Sequence, residues 1–573
     1  VLRGDFSASC GGESRGMRGR KKLKLLPAWM IWANPILKRY ARSRLRPASF
    51  GVALLMTILV AGFFFFLARE STARSIQNPI DVGRMPLIPL LILQGLILFG
   101  LGTGQAAAGI TTEADEGVID YQRLAPMTPF TKVLGYLFGL PIREWILFLA
   151  TLPFTGYSIW KGQVPLNGVL QLYAVFFMAA ILYHLTGLLA GSVMKNRRWA
   201  FLTSTGLVMV LYLIIPQAAK FGLVYLKYVT IYPVFNEVYP SLIPRPLGDA
   251  AEVFNTIIPP AKFFGLNFPQ YVFTLISQGV LSLAMVMMLW RRWRKADCHL
   301  LGKFAATGLF GWLQMMLLGN ALPLMNSGDL FPSRELDRRF GRLINPDIQF
   351  WSPKTWEATV MIGIYGLVTL ASLWWLTFII SADLHGQVRG WRRARKLGNP
   401  ALPLLSDAAT SVPWVLTMSV MGAAGWFIFG KVLIGSHWYP ELSLLVVTPV
   451  AMFSILACGG LGMAALLESV GRKVTGLVVI LGGILPVMLG VILAVSSDDF
   501  VALAVWLAGI CPVSWPIYGS GVFLSEEGMP RDVARAIPNA FWFWQGVGAI
   551  LTVWLLSKLR IARKKISDSS KEF

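Results

Sequence analysis

The chain has 573 residues, of which 55% are hydrophobic and only 14% are charged. An ordinary globular protein has about 25% charged residues, so this composition excludes a disordered chain and a conventional soluble enzyme. The net charge of +23 would suggest nucleic-acid binding in a soluble protein, but in a membrane protein it reports topology, because basic residues concentrate in cytoplasmic loops. We therefore predict an all-α polytopic membrane protein with no nucleic-acid partner.

Residues 1–49 form a basic N-terminal segment that we expect to be cytoplasmic. The chain begins with Val1 and residues 1–16 show no folding pattern, which leaves Met17 and Met30 as candidate starts. Residues 21–46 mix apolar and basic side chains and predict an amphipathic helix on the inner membrane surface. In this prediction lipid is contacted by Trp29, Ile31, Trp32, Ile36 and Leu37, and head groups are met by Lys38, Arg39, Arg42, Arg44 and Arg46.

Twelve apolar runs are each long enough to cross about 30 Å of hydrocarbon as a helix. The first six cover residues 50–67, 86–110, 145–160, 168–191, 200–215 and 271–290. The second six cover residues 304–325, 358–382, 412–434, 442–467, 474–495 and 540–556. The sequence therefore predicts about 12 transmembrane helices.

One further apolar stretch, residues 500–524, is interrupted by Pro512 and Pro516, which break helical hydrogen bonding at membrane depth. We interpret it as a re-entrant hairpin, because a thirteenth span would place the basic C-terminal tail, residues 558–573, outside the cell. With both termini inside, most of the basic residues fall in cytoplasmic segments. This charge distribution predicts a multi-pass protein of the plasma membrane, the bacterial inner membrane.

The runs divide into two six-helix units, residues 50–290 and 291–557. Each unit begins after a basic stretch, has an inner loop between its second and third spans, and has a proline-interrupted outer segment before its last span. This matched order predicts two repeats in parallel orientation, with re-entrant outer segments before the last helix of each repeat. Two unrelated bundles with coincidental spacing are the alternative.

The loop between the second and third spans, residues 111–132, is the most informative segment. It contains four acids within eight residues, Glu113, Asp115, Glu116 and Asp120, whereas the other inner loops are basic. Helical spacing predicts that three of them, Glu113, Glu116 and Asp120, share one face, and that Gly117 breaks or caps the turn. An anionic membrane surface would repel this loop, so we expect it to bind a soluble partner with basic residues.

The pattern Glu113-x-Asp115-x-Gly117, followed by Leu124, Pro126, Pro129 and Lys132-x-x-Gly135, resembles the acidic loop of type-2 ABC transporter permeases, the drug and polysaccharide exporter class. The resemblance implies a six-span permease unit with an amphipathic helix before its first span and a re-entrant segment before its last. It also implies that the loop contacts an ATP-binding subunit. The residues assigned to this coupling are Glu113, Asp115, Glu116, Gly117, Asp120, Arg123, Pro126 and Pro129.

Two features depart from the family pattern. A small hydroxylated residue commonly follows the family's glycine, whereas Val118 stands here. The corresponding loop of the second half, residues 383–389, is basic and lacks the acidic motif. Two equivalent ATPase contacts are therefore not expected.

The sequence supplies no ATPase of its own. The Gly302-Lys303 and Gly430-Lys431 pairs lack the hydroxylated residue that completes a phosphate-binding loop and ligates magnesium. We therefore expect a non-enzymatic transport subunit without catalytic residues, cofactor or metal, in which a separate ATP-binding cassette subunit uses the ATP. Membrane lipids are further expected partners, and a homo-oligomer is left open.

Other candidate residues have simpler interpretations. Arg143 and Glu144 are adjacent at a span entrance and are not expected to face each other, which favours membrane-interface anchoring over coupling or gating. His184 is interpreted as a hydrogen-bonded bundle histidine rather than a proton relay, because no acid accompanies it in its run. Cys298 and His299 lack the further ligands that a metal needs.

Two alternative functions are left open by the sequence. An ion-coupled twelve-helix carrier would need acids or broken spans at the membrane midplane. A membrane-embedded enzyme acting on lipid-linked substrates would need a catalytic pair, of which Asp383 with His385 is the best local example. For the exporter, the scarcity of charge within the spans favours a hydrophobic or amphipathic substrate.

Overall fold

The computed structural model describes residues 31–73, 78–244, 260–295, 298–325, 330–331, 354–399, 402–524 and 531–569. It is about 81% helical, which confirms the all-α prediction. Within the described residues, β-structure is confined to one antiparallel hairpin, β1 (Ala261–Phe263) and β2 (Leu266–Phe268). Both residues of its turn, Phe264 and Gly265, have positive φ, which suits the right-handed twist of paired strands.

Helices of the first half begin at prolines and short polar caps. Pro35, Pro79 and Pro129 occupy first turns, where the missing N–H is not needed, and Asn34 caps the first helix. The helices are α1 (Pro35–Arg44), α2 (Pro47–Ala73), α3 (Pro79–Asp115), α4 (Val118–Leu124), α5 (Pro129–Gly139), α6 (Ile142–Lys161), α7 (Leu166–Gly191), α8 (Arg197–Lys220), α9 (Tyr232–Leu242) and α10 (Gln270–Arg294).

The second half continues the helical pattern. Its helices are α11 (Lys303–Met325), α12 (Thr355–Ile380), α13 (Leu384–Lys396), α14 (Val412–Ile434), α15 (Thr448–Ser469), α16 (Arg472–Ser496), α17 (Val501–Ala508), α18 (Trp515–Phe523) and α19 (Arg531–Ser569). All twelve apolar runs are helical over most of their lengths. The expected start of one run at residue 442 was wrong, because α15 begins at Thr448 with Pro449 in its first turn.

Ten helices in the described part of the chain are long and apolar enough to cross a membrane. An eleventh span would result if α5 and α6, which meet at a bend of 50°, crossed together. The helix α8 matches the run at residues 200–215 but is not among the ten. These helices establish a multi-pass, all-α membrane architecture.

The helices pack in two bundles. In the first half α3 contacts α6, α7 and α8, while α2 lies on α6 and α7 lies on α10. In the second half α12 contacts α14, α15 and α18, while α11 lies on α14 and α15 lies on α19. The β-hairpin joins the halves, because Phe264 N–H donates to the Gly319 carbonyl at 2.9 Å and Asn320 donates to the Lys262 carbonyl at 2.9 Å.

Many helix ends lie together at one end of the protein, where hydrogen bonds join them. We call this end the basic end. Thr111 near the end of α3 donates to the Gly191 carbonyl at the end of α7, at 3.0 Å. Lys303 at the start of α11 donates to the Ser406 carbonyl at 2.8 Å. The ends of α1, α10, α13, α15 and α19 join them through the contacts described below. The acidic loop lies at this end.

Candidate partner-docking site

The acidic loop folds as a short helix between two breaks. Gly117 has φ +70°, a conformation that strongly favours glycine, and it ends α3 and begins α4. Ala125 is extended, as a residue before a proline usually is, and ends α4 ahead of Pro126. Thr128 then caps α5 by accepting from the Thr131 N–H at 3.2 Å. The prediction that Gly117 interrupts the helix is therefore confirmed.

Glu113 is buried while Glu116 and Asp120 are exposed, so the predicted common face of these three acids was wrong. The helical break at Gly117 separates α3 from α4, and the Glu113 side chain points into the protein with only 7% of the residue exposed. There it forms an ion pair with Arg39 and accepts hydrogen bonds from the hydroxyls of Tyr40 and Tyr136. Glu113 therefore joins α3 to α1 and α5.

Tyr40 is protonated at neutral pH, as tyrosine is in water, and burial moves its pKa further from neutrality. The pKa of Tyr40 is raised to about 12, chiefly by desolvation and against the lowering effect of nearby Arg39 and Arg44. A protonated hydroxyl can donate to the Glu113 carboxylate, whereas a phenolate would repel it. The cluster of Glu113, Arg39, Tyr40 and Tyr136, which we call the Glu113 anchor, is thus electrostatically consistent at neutral pH.

The remaining acids lie on an exposed surface that we call the coupling face: Asp115, Glu116, Asp120, Tyr121 and Leu124. Tyr121 is 76% exposed and Leu124 is 83% exposed, and the three acids beside them are also exposed. Large apolar side chains surrounded by charge are typical of protein-binding surfaces, where the apolar groups act as anchors. The coupling face is suited to an apolar groove with a basic rim.

The other predicted coupling residues, Arg123, Pro126 and Pro129, lie beneath the coupling face or at its edge. Arg123 is half-buried, forms an ion pair with Asp120, and donates weakly to the Arg292 carbonyl at 3.5 Å. Pro126 is exposed next to α4, and Pro129 is half-buried in the first turn of α5. Arg123 therefore connects the loop to the end of α10 rather than standing free for a partner.

The helix α1 lies against protein rather than lipid, so the predicted lipid contacts of Ile36 and Leu37 were wrong. Both are at least 95% buried, and α1 packs on α5. Asn34 donates to the Thr131 carbonyl at 2.8 Å, and Arg44 donates to the Gln105 side chain at 2.6 Å. Trp32 is 82% exposed, and residues 21–30 lie outside the described part of the chain. The helix is a strap across α3 and α5.

The matching position in the second half is occupied by the basic helix α13. Asp383 caps its start by accepting from the Gly386 N–H at 2.9 Å, and both Asp383 and His385 are exposed. Gln387 on its buried side donates to the Glu468 carbonyl oxygen of the main chain at 3.2 Å. The helix is thus fixed to α15 and presents arginines, where the first half presents acids.

A second buried carboxylate, Glu468, was missed by the sequence reasoning. It is fully buried and accepts from the Ser411 N–H at 2.6 Å, the Ser411 hydroxyl at 2.7 Å and Arg563 at 2.7 Å. Thr410 donates at 3.2 Å to Oε2, the oxygen that also accepts from Arg563. The sequence feature that could have indicated it is an acid in the last turn of an otherwise apolar span, because a buried carboxylate needs a partner. Glu468 joins α14, α15 and α19.

Two other candidates also have clear environments. Arg143 does face its neighbour, contrary to expectation, because its long side chain folds back to Glu144 at 2.9 Å, and Glu144 is fully buried. His184 forms a 2.9 Å hydrogen bond with the Leu98 carbonyl, inside the π-helical turn Leu96–Gly102 of α3. A π-turn disturbs the regular helical hydrogen bonds, and His184 satisfies one carbonyl there.

The described part of the chain contains no group of three or more His, Cys, Asp and Glu side chains that could hold a metal ion. Comparisons with family models, curated proteins and solved structures found no match to the chain. The functional interpretation therefore depends on the residues and contacts above.

Proposed function

We propose that the chain is the membrane-spanning permease subunit of an ATP-driven ABC-type exporter, coupled to a separate ATPase subunit through residues 111–132. The observation that carries this proposal is the coupling face, in which Tyr121 and Leu124 stand exposed among Asp115, Glu116 and Asp120. A face of this kind needs a soluble partner, because its acids would be repelled by an anionic membrane surface. The motif's resemblance to type-2 exporter permeases names the class of partner.

The packing supports the proposal of two six-helix units. Counting α2, α3, α6, α7, α8 and α10 as one unit and α11, α12, α14, α15, α16 and α19 as the other, six pairs of contacts recur. In both units the first span contacts the second and third, the second contacts the third and fourth, and the fourth contacts the fifth and sixth. The units differ at two places: α3 contacts α8 whereas α12 and α16 have no comparable contact, and α14 contacts α15 whereas α6 and α7 have no comparable contact.

The proposed re-entrant segments are α9 in the first unit and the α17–α18 pair in the second. The helices α9 and α18 each pack on the fourth and sixth spans of their own unit. The turn between α17 and α18 includes Pro512, and Ser514 there donates to the Ala508 carbonyl at 2.8 Å, which satisfies one acceptor at the break. With the basic end in the cytoplasm, both segments lie toward the outside.

The Glu113 anchor suggests how the partner's movement reaches the spans. A displacement of α4 is transmitted to α3 directly, and through Glu113 to α1 and α5. The helix α3 spans residues from Pro79 to Asp115, with a turn at residues 85–86 and the π-helical turn Leu96–Gly102 within it, so it connects the docking loop with the opposite end of the bundle. ATP binding by the partner then shifts the population between two arrangements of the units, which opens a path for a hydrophobic or amphipathic substrate.

Charge reversal of the coupling face tests the proposal. In the triple variant D115K/E116K/D120K, we expect co-purification of the ATPase from the native host to fall at least about tenfold, because like charges then meet across the interface. Glu113 is kept, since its removal would disturb folding. The readout is the amount of a protein with a phosphate-binding loop recovered in mild detergent, relative to the tagged chain.

A matched control carries the same charge change elsewhere. Glu70, Glu441 and Asp499 are exposed acids outside the loop, and the variant E70K/E441K/D499K should retain the partner. Undiminished recovery with the coupling-face variant would contradict the proposal. The ion-coupled carrier and the membrane-embedded enzyme would then be the functions to test.

A further inference from the structure

A cleft of about 830 Å³ opens at the basic end between the end of α10, the helix α13 and residues 402–408. The side chains of Arg291, Arg294, Lys295 and Arg393 line it. These cations come from two helices that are separate in the chain, so the fold gathers like charges that repel one another. An arrangement of this kind is stabilised when an anion occupies the space between them.

Asp407, the one carboxylate among the described residues that line the cleft, does not neutralise it. Asp407 is held by Arg291 through two hydrogen bonds, at 2.8 and 3.0 Å, and it also accepts from the His299 N–H at 3.2 Å. Burial lowers the pKa of His299, although the Asp407 carboxylate acts in the opposite direction. Among the described residues no acidic side chain forms an ion pair with Arg294, Lys295 or Arg393, so their charges are available to a ligand.

The rim of the cleft is apolar. Leu397 is 70% exposed and Leu405 is 63% exposed, and both line the opening. Trp290 lies beside them with the Arg294 guanidinium 5.5 Å from its ring centre, which orients that cation. A small anion has no apolar part that could cover the exposed leucines, so it would not account for them.

The position of the cleft in the fold adds a third constraint. Trp290 and Arg294 belong to the last turns of the apolar helix α10, and α11 begins a few residues later at Lys303. The cleft therefore lies where membrane-spanning helices end, at the depth of lipid head groups. We propose that it binds the phosphate-bearing head group of an anionic membrane lipid, whose acyl chains pass Leu397 and Leu405. This inference rests on the membrane architecture and is independent of the proposed transport function.

Lipid binding by the purified full chain tests the inference. Native mass spectrometry of the chain titrated with phosphatidylglycerol or phosphatidylcholine would report bound lipid. We expect preferential retention of phosphatidylglycerol, and at least an approximately tenfold weaker affinity in R294Q/K295Q/R393Q, because each basic side chain contributes to the attraction. The matched control R560Q/K564Q/K565Q removes three exposed charges near the end of α19 and should retain the preference.

A second variant distinguishes a lipid from a soluble anion. The exposed leucines can be replaced in L397Q/L405Q without opening the core, and this change should weaken phosphatidylglycerol binding but not binding of glycerol phosphate. The proposal would be overturned if the control variant lost as much affinity for phosphatidylglycerol as R294Q/K295Q/R393Q. It would also be overturned if L397Q/L405Q bound phosphatidylglycerol as tightly as the unchanged chain. Stronger binding of a polyglutamate peptide than of phosphatidylglycerol would also overturn it, in favour of an acidic protein segment.

Discussion

Replacing Glu113 by alanine is expected to lower the free energy of unfolding by about 3 kcal/mol, the lower part of the range for breaking a buried ion pair. The substitution leaves the buried hydroxyls of Tyr40 and Tyr136 without their acceptor, and Arg39 without its counter-charge. The Arg39 side chain is 41% exposed, so water can solvate it partly, which keeps the loss below the largest values. The measurement is the melting temperature of the purified protein in detergent.

Asp115→Ala is the matched control for this prediction. Asp115 is only two residues away but exposed, so its replacement should leave the melting temperature nearly unchanged. If the two variants had the same melting temperature, Glu113 would not be the anchor between α3, α1 and α5. The transmission of partner movement through α1 would then be excluded as well.

Replacing Glu468 by alanine is expected to cost about 4 kcal/mol, more than the Glu113 change. Its carboxylate is fully buried, and the variant would leave the buried Ser411 N–H without an acceptor and the Arg563 guanidinium without its counter-charge. The Arg563 side chain is 23% exposed and is therefore less solvated than Arg39. Thermal unfolding followed by tryptophan fluorescence would measure the loss.

A double-mutant cycle isolates the ion pair within this cluster. Arg563→Met alone should be milder, because Glu468 keeps its bonds to Ser411 and Thr410. The coupling energy between Glu468→Ala and Arg563→Met should be at least about 1 kcal/mol. Strictly additive losses would show that the carboxylate is stabilised by Ser411 and Thr410 without a contribution from Arg563.

Hydrophobic run length predicted most of the helical architecture. A run such as residues 474–495 can be buried only as a helix in a membrane, and the structure has a helix there. The break in the helix at Gly117 was also predicted from the sequence, and Gly117 has a positive φ in the structure. The start of α15 could not be predicted, because residues 442–447 are mostly apolar, yet residues 442–445 have no regular structure and residues 446–447 form a turn ahead of Pro449.

The environment of each acid could not be read from spacing. Glu113 and Asp115 look alike in the sequence, yet one lies in the Glu113 anchor and the other is exposed. The difference depends on Tyr40, which is distant in the chain and reaches Glu113 only because α1 packs on α5. Glu468 was overlooked for the same reason, since Arg563 approaches it from another helix.

These contacts change the interpretation of the acidic motif. Its first acid, Glu113, holds the loop in place, whereas Asp115, Glu116 and Asp120 face solvent. A motif read as one charged surface thus contains a structural part and a binding part. In the proposed permease the two parts have separate effects, because loss of the anchor destabilises the fold while reversal of the exposed acids weakens partner binding.

Site-specific photocrosslinking from Leu124 tests the central claim most directly. A photoreactive amino acid at this position, which is 83% exposed on the coupling face, would be activated in membranes of the native host. The same residue at Val446, which is 95% exposed and lies outside the basic end, is the control. We expect Leu124, and not Val446, to crosslink to a soluble protein whose sequence contains a phosphate-binding loop. Adducts from Leu124 that never include such a protein, with the chain intact in the membrane, would contradict the ATP-driven permease.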